Sequence, residues 1–193
     1  MIEQVLTRRN VSFKLKLTIK SIISAGLIAL AVILPQLVHL AGGAASGVKW
    51  LPMYLPVLIG GCLLGLKWGL GVGILSPVVS FLVTLAFGNP MPAATRLPYM
   101  IVELAVFAAV SGAFSGKIAK NSFMAFPAVL LAAVAGRTAF IAVAAIFQSV
   151  SNLSVATVWA QVQTGLLALV LQAVIAPAIV MGLAYLLNKE KAE

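Results

Sequence analysis

Two formally charged side chains fall inside long apolar runs of this chain, and they are the residues best placed to do chemistry. Glu103 lies in PYMIVELAVFAAV and Arg137 in AAVAGRTAFIAVA. Burying either alone in lipid is expensive, so each must face protein or a water-filled cavity, and pairing with the other is the direct solution. Such a pair has two readings. It either fixes helix packing and nothing more, or it forms part of a site where one or both side chains meet a polar ligand. Gln36, His39, Tyr99, Gln148 and Gln161 collect at a similar depth and favour a pocket. Each is weak alone, and His39 also suits a plain interfacial position near a helix end.

Other chemistry has little to stand on. The chain has one histidine and no aspartate, which rules out an HExxH zinc site, a Ser-His-Asp set and paired intramembrane aspartates. Its one cysteine, Cys62, lies in an apolar run, so neither an intramolecular disulfide nor a cysteine metal cluster is available. No GxxxxGK[ST] phosphate loop occurs. We therefore expect no catalytic residue, no metal, no cofactor and no ATPase of its own, so active import needs a partner that supplies energy.

The elements that must position Glu103 and Arg137 are membrane helices. Of 193 residues, 62% are hydrophobic and 9% charged, against about 25% charged in soluble domains. The net charge of +9 does not point to nucleic acid, because the basic residues sit at the N-terminus and between apolar runs, where membrane orientation explains them. The fold class is all-α: a polytopic membrane protein with six transmembrane helices and both termini cytoplasmic. Residues 1–193 form one integral membrane domain, with a basic flank (1–20), a six-helix bundle (21–187) and a tail (188–193). The bias of Lys67, Lys117, Lys120, Lys189, Lys191 and the N-terminal cations over Lys49 and Arg96 sets that orientation. The chain is therefore a multi-pass membrane protein. The first span, 21–40, also resembles a secretory signal, but the polytopic remainder makes it a first helix.

Residues 41–51 read as a Gly/Ala/Ser outer loop. The second helix, from about Pro52 to Gly65, is short for a span, which implies a buried or cavity-facing stretch before it. Pro77 interrupts the third, about 68–87, where Ser76, Ser80 and Thr84 share a face suited to bonding the preceding turn or a neighbouring helix, with ligand contact as the alternative. Gly61, Gly65, Gly69 and Gly73 recur every fourth residue, a spacing that lets helices approach closely. The fourth helix, about 97–116, aligns Tyr99, Glu103 and Phe107. The fifth, about 123–148, aligns Arg137, Ile141, Ala144 and Gln148. On the sixth, about 158–187, Gln161, Thr164, Ala168 and Gln172 share a face and Pro177 marks a kink. Trp50 and Trp159 suit an interfacial belt, and Met53 and Met91 flank the outer mouth.

The stretches LPMYLPVLIGG, LGLKWGLGVGILSP and the NPMP loop before the helix bearing Glu103 resemble the substrate-binding S components of energy-coupling factor (ECF) vitamin transporters. Pro52-Met53-Tyr54 stands where similar S components often read Pro-Met-His. The resemblance implies capture of a vitamin or related micronutrient in an outward-facing pocket, closed by residues 41–51 and 88–96. It implies delivery by reorientation beside a transmembrane coupling subunit driven by two ATPase subunits. On that basis Glu103, Arg137, Tyr54, Asn89, His39 and Gln161 surround the ligand, and the AxxxA pair Ala25 and Ala29 meets the coupling subunit. Cobalamin, pantothenate, pyridoxine-like and deazapurine ligands all stay open. The alternative is a membrane scaffold or assembly subunit without a ligand. A self-sufficient carrier is disfavoured by the apolar inner halves of the helices and the lack of a visible repeat.

Overall fold

The computed structural model describes residues 1–8, 10–43, 46–147 and 154–189, and among these the regular structure is helical. The helices are α1 (Ile2–Arg8), α2 (Phe13–Gly42), α3 (Ser46–Trp50), α4 (Tyr54–Leu64), α5 (Leu66–Ala86), α6 (Leu97–Ala113), α7 (Ser115–Lys120), α8 (Ala125–Phe147) and α9 (Val155–Lys189). A 3-10 turn, Ser122–Met124, leads into α8. Gln148, residues 151–153 and the expected charged tail at 190–193 lie outside the described residues.

Five stretches have the length and apolar composition to cross a membrane: Phe13–Gly42, Ser46–Leu64, Leu66–Ala86, Ser122–Phe147 and Val155–Leu187. Leu97–Ala113 is shorter, at 17 residues, or about 25 Å of helix against a hydrocarbon core of about 30 Å. Only Phe114 separates it from α7.

α4 is the centre of the bundle. Ten of its 11 residues are buried, all but Leu55, and α2, α5, α6, α8 and α9 pack around it. A helix apolar on every side must be enclosed in this way or face lipid. Being short, it leaves membrane depth to be filled by what precedes it. Residues 46–50, expected as loop, form α3, which packs on α9 and α2. A full helical turn satisfies more of that segment's backbone away from water than an open loop would.

Glycine sets the contacts of α4 with α5 and α6. A Cβ placed on Gly69 would lie 2.8 Å from the Cα of Gly61, so the α4 and α5 backbones touch directly. A Cβ on Gly73 would lie 2.6 Å from the Leu104 carbonyl oxygen and 2.9 Å from the Ala108 Cβ on α6. Gly65, at φ +84°, makes the sharp link between α4 and α5. The four-residue spacing thus serves two helices at once. Gly73→Val is expected to force these backbones apart at a cost of about 1–3 kcal/mol, read as a lower thermal unfolding midpoint in detergent. An unchanged midpoint would mean that α5 and α6 pack less tightly than described.

Pro77 does not interrupt α5, contrary to the expectation from sequence. The helix continues through it, as α2 does through Pro35 and α9 through Pro177. Proline removes one backbone donor, and close neighbours in a membrane bundle tolerate that loss without ending the helix. On α6, Tyr99, Glu103 and Phe107 are all buried, as the periodicity requires. On α9 the buried face carries Gly165, Ala168 and Gln172, with Gln161 half-buried, while Thr164 is exposed and bonds the Ala160 carbonyl.

The basic flank also has structure. α1 turns back under the end of the bundle opposite the cavity described below, with Met1, Ile2 and Leu6 buried against α4 and α7. Lys20 of α2 pairs with Glu3, and the Lys16 ammonium donates to the Thr7 hydroxyl.

A candidate ligand cavity over the Glu103–Arg137 pair

Glu103 stands nearly two turns into α6, with no exposed surface, and Arg137 stands midway along α8. α6 and α8 pack closely, which brings Arg137 Nη1 to 2.8 Å from Glu103 Oε1. The other carboxylate oxygen accepts a hydrogen bond from the Tyr54 hydroxyl at the start of α4. The Tyr54 ring lies 5.1 Å from the guanidinium carbon, in cation–π range, and meets the Phe107 ring edge-on at 5.1 Å between centroids. Three helices therefore contribute one residue each to a buried charged cluster. Arg137 Nε and Nη2 have no hydrogen-bond partner among the described residues.

A cavity of about 460 Å³ opens over this cluster. Glu103, Arg137, Tyr54, His39 and Gln161 all line it, as do Met53 and Met91. Of the six residues expected around a ligand, Asn89 alone does not line it. Asn89 is exposed just beyond α5, and its backbone N–H bonds the Thr84 carbonyl. Gln36 is half-buried near the rim, where its amide contacts the Met91 sulfur at 3.9 Å. Tyr99 turns into a separate apolar cluster with Phe140, Ala144, Val158 and Val162.

Residues from both segments named from sequence line the cavity. On one side, α3 and the turn after it supply Gly47, Val48, Leu51 and Pro52. His39 of α2 packs so closely on Gly47 that a Cβ there would lie 2.6 Å from its Nε2. Gln172 of α9 donates to the carbonyls of Trp50 (3.2 Å) and Leu51 (2.9 Å), pinning the turn from the other side. On the opposite wall, Met91, Pro92, Ala93, Thr95 and Arg96 close the cavity. Ser80 Oγ donates to the Met91 carbonyl at 2.8 Å, and the Met91 N–H donates to Thr84 Oγ1 at 2.7 Å. The hydroxyl face of α5 thus staples the 88–96 segment. Ser76, on the same face, is buried without a partner among the described residues. Thr84→Val is expected to cost about 1–2 kcal/mol and to raise protease nicking at residues 88–96. Unchanged nicking would show that the segment is held by packing alone.

Sequence reasoning missed Arg96 and Met100 in the lining and Gln172 as a fastener. Only for Arg96 did a signal exist, a lone cation in the NPMPAATR segment. Ala25 and Ala29 lie away from the cavity, exposed on α2. Trp50 and Trp159 are both exposed.

An all-helical bundle of apolar, membrane-length helices, with a polar cluster under a cavity of small-molecule size, defines a multi-pass membrane protein with a ligand pocket. The chain belongs to the substrate-specific component family of ECF transporters, whose family model matches residues 19–180. It is accordingly a substrate-binding transport subunit and not an enzyme, and components of this family associate with a membrane coupling subunit and ATPases. No curated protein and no solved structure gives a significant match.

Proposed function

We propose that the protein captures a vitamin or related micronutrient from the outer side of a prokaryotic plasma membrane. It then delivers its cargo by reorienting beside a coupling subunit driven by two ATPases. The observation that carries this reading is the Glu103–Arg137–Tyr54 cluster beneath a cavity with two fastened covers. Buried charge in a membrane bundle is costly to keep without a use. Arg137, His39, Tyr54 and Gln161 surround the ligand, Glu103 lies beneath it, and Asn89 is on the rim segment that moves with the cover.

In this reading the chain spans the membrane six times, through α2, α3–α4, α5, α6–α7, α8 and α9, with both termini cytoplasmic. The clustering of Lys14, Lys16, Lys20, Lys67, Lys117 and Lys120 at the end away from the cavity supports that orientation. Ala25 and Ala29 meet the coupling subunit; their exposure on α2, beside a Gly26 with open space around it, supports this assignment.

The test is a thermal-shift screen of the purified protein in detergent against water-soluble micronutrients. A specific ligand at about 100 times its Kd stabilises the folded state by about 2.7 kcal/mol, and at least one compound should raise the unfolding midpoint. A panel without any shift, on protein that carries no bound compound, would reject capture in favour of a ligand-free scaffold.

A further inference from the structure

We infer that the ligand is a small organic anion, with its carboxylate or phosphate group bound by Arg137 and its remaining bulk apolar. The inference rests on the capture reading above and narrows it to a class of compound.

The two charges of the cluster are unequally occupied. Glu103 has no exposed surface, one of its oxygens faces Arg137 and the other accepts from Tyr54. Its Oε1 has no hydrogen-bond partner among the described residues but faces the Arg137 charge at 2.8 Å, and with no exposed surface the carboxylate is poorly placed for a cationic ligand. Arg137, in contrast, retains Nε and Nη2 without partners among the described residues, although it is more than nine-tenths buried. Buried guanidinium donors left unmet are costly, and a planar fork is matched best by a carboxylate or phosphate. The Tyr54 ring covers one face of the guanidinium, so the edges are what remain for a ligand.

The surroundings carry the same sign. Arg96 lines the cavity wall, and Lys49 follows the lining residue Val48 on α3. The whole sequence has four acidic residues and no aspartate; apart from Glu103 these are Glu3, Glu190 and Glu193, near the chain ends. Among the described residues Glu103 is the one acid in the lining and it is paired with Arg137, so Arg96 leaves the cleft net positive, and a low-dielectric cleft with such an excess concentrates the opposite ion. A cation would meet Arg137 and Arg96 with no free carboxylate. Met53, Met91, Met100 and Phe140 line the rest of the cavity and suit an adaptable, apolar ligand body.

The experiment is native mass spectrometry of the intact protein purified from cells grown in rich medium, with identification of the released compound. Affinities for that compound and its neutral amide or dephosphorylated analogue are then measured in wild type and in Arg137→Gln and Arg137→Lys variants. The expected compound carries a carboxylate or a phosphate, and its identity tells which. Arg137→Gln should shrink the preference for the anion over its neutral analogue by about tenfold or more. Arg137→Lys, which keeps a cation beside Glu103 but loses the fork, should fall between. Ratios are compared only for variant protein that keeps its helical signal and a cooperative unfolding transition, so that a general loss of structure is not read as a kept or lost preference. A neutral or cationic released compound would overturn the inference and leave capture standing. An anion whose preference survives Arg137→Gln would overturn the assignment to Arg137. A protein that carries no compound and responds to none would overturn both readings.

Discussion

Arg137→Ala should cost about 3–5 kcal/mol of stability, the usual consequence of leaving one buried charge without its partner. Glu103 would keep only the Tyr54 hydroxyl in an apolar surround. Unfolding in detergent, followed by helical signal against denaturant, reads the loss. Replacing both members, Glu103→Leu with Arg137→Leu, should recover most of it, because a well-packed apolar pair often matches or exceeds a buried ion pair in stability. The double variant would be stable and unable to capture ligand, which separates the cluster's use from its cost. If Arg137→Ala unfolds like wild type, the 2.8 Å pairing with Glu103 is not maintained in the membrane protein.

Gln172→Leu should cost about 1–3 kcal/mol, because it removes the donor to the Trp50 carbonyl and one of two donors to the Leu51 carbonyl, which keeps the Tyr54 N–H. The site is sensitive for a second reason. Leu51 has a φ of +48°, a left-handed conformation that a branched residue rarely adopts unless its neighbours impose it. Gln172 holds its carbonyl, while its side chain packs over Gly165, where a Cβ would lie 2.8 Å from Leu51 Cδ1. With the glutamine gone, the strained turn has less to keep it closed over the cavity. Amide exchange across residues 46–54 should quicken markedly, while exchange in α5 stays slow. Equal protection in variant and wild type would remove Gln172 from the role of fastener.

The charged cluster was legible because lipid makes charge conspicuous. Glu103 and Arg137 interrupt apolar runs, and a membrane bundle has few places to put them other than against each other. Tyr54 was legible from its place in Pro52-Met53-Tyr54. His39 and Gln161 were legible only as polar residues at a similar depth, and their arrival at one cavity depends on helix rotations that no local pattern encodes. Gln172 shows the limit most clearly. Its partners lie 121 and 122 residues away in sequence, and the α9 periodicity marks it as buried without saying what it holds. Asn89 shows the opposite limit: it is next to the Pro90–Pro92 stretch that covers the cavity, yet its side chain is exposed and does not line it. Two local readings gave way to tertiary context. Residues 46–50 of the expected loop folded as α3, enclosed between α2 and α9, and α5 ran through Pro77 because its neighbours support the helix on either side.

The position of α1 bears on how the protein is made. Its buried residues Ile2 and Leu6 rest on α4 and α7, the latter more than a hundred residues further along the chain. A ribosome exposes this short helix long before its seat exists. Until α7 has followed α6 out of the insertion machinery, α1 has only α4 to rest on and half of its seat is missing. Docking of α1 is thereby completed only once α7 is made, with α8 and α9 still to come. A nascent chain halted before residue 115 should leave α1 open to protease, and one halted after release of α7 should not.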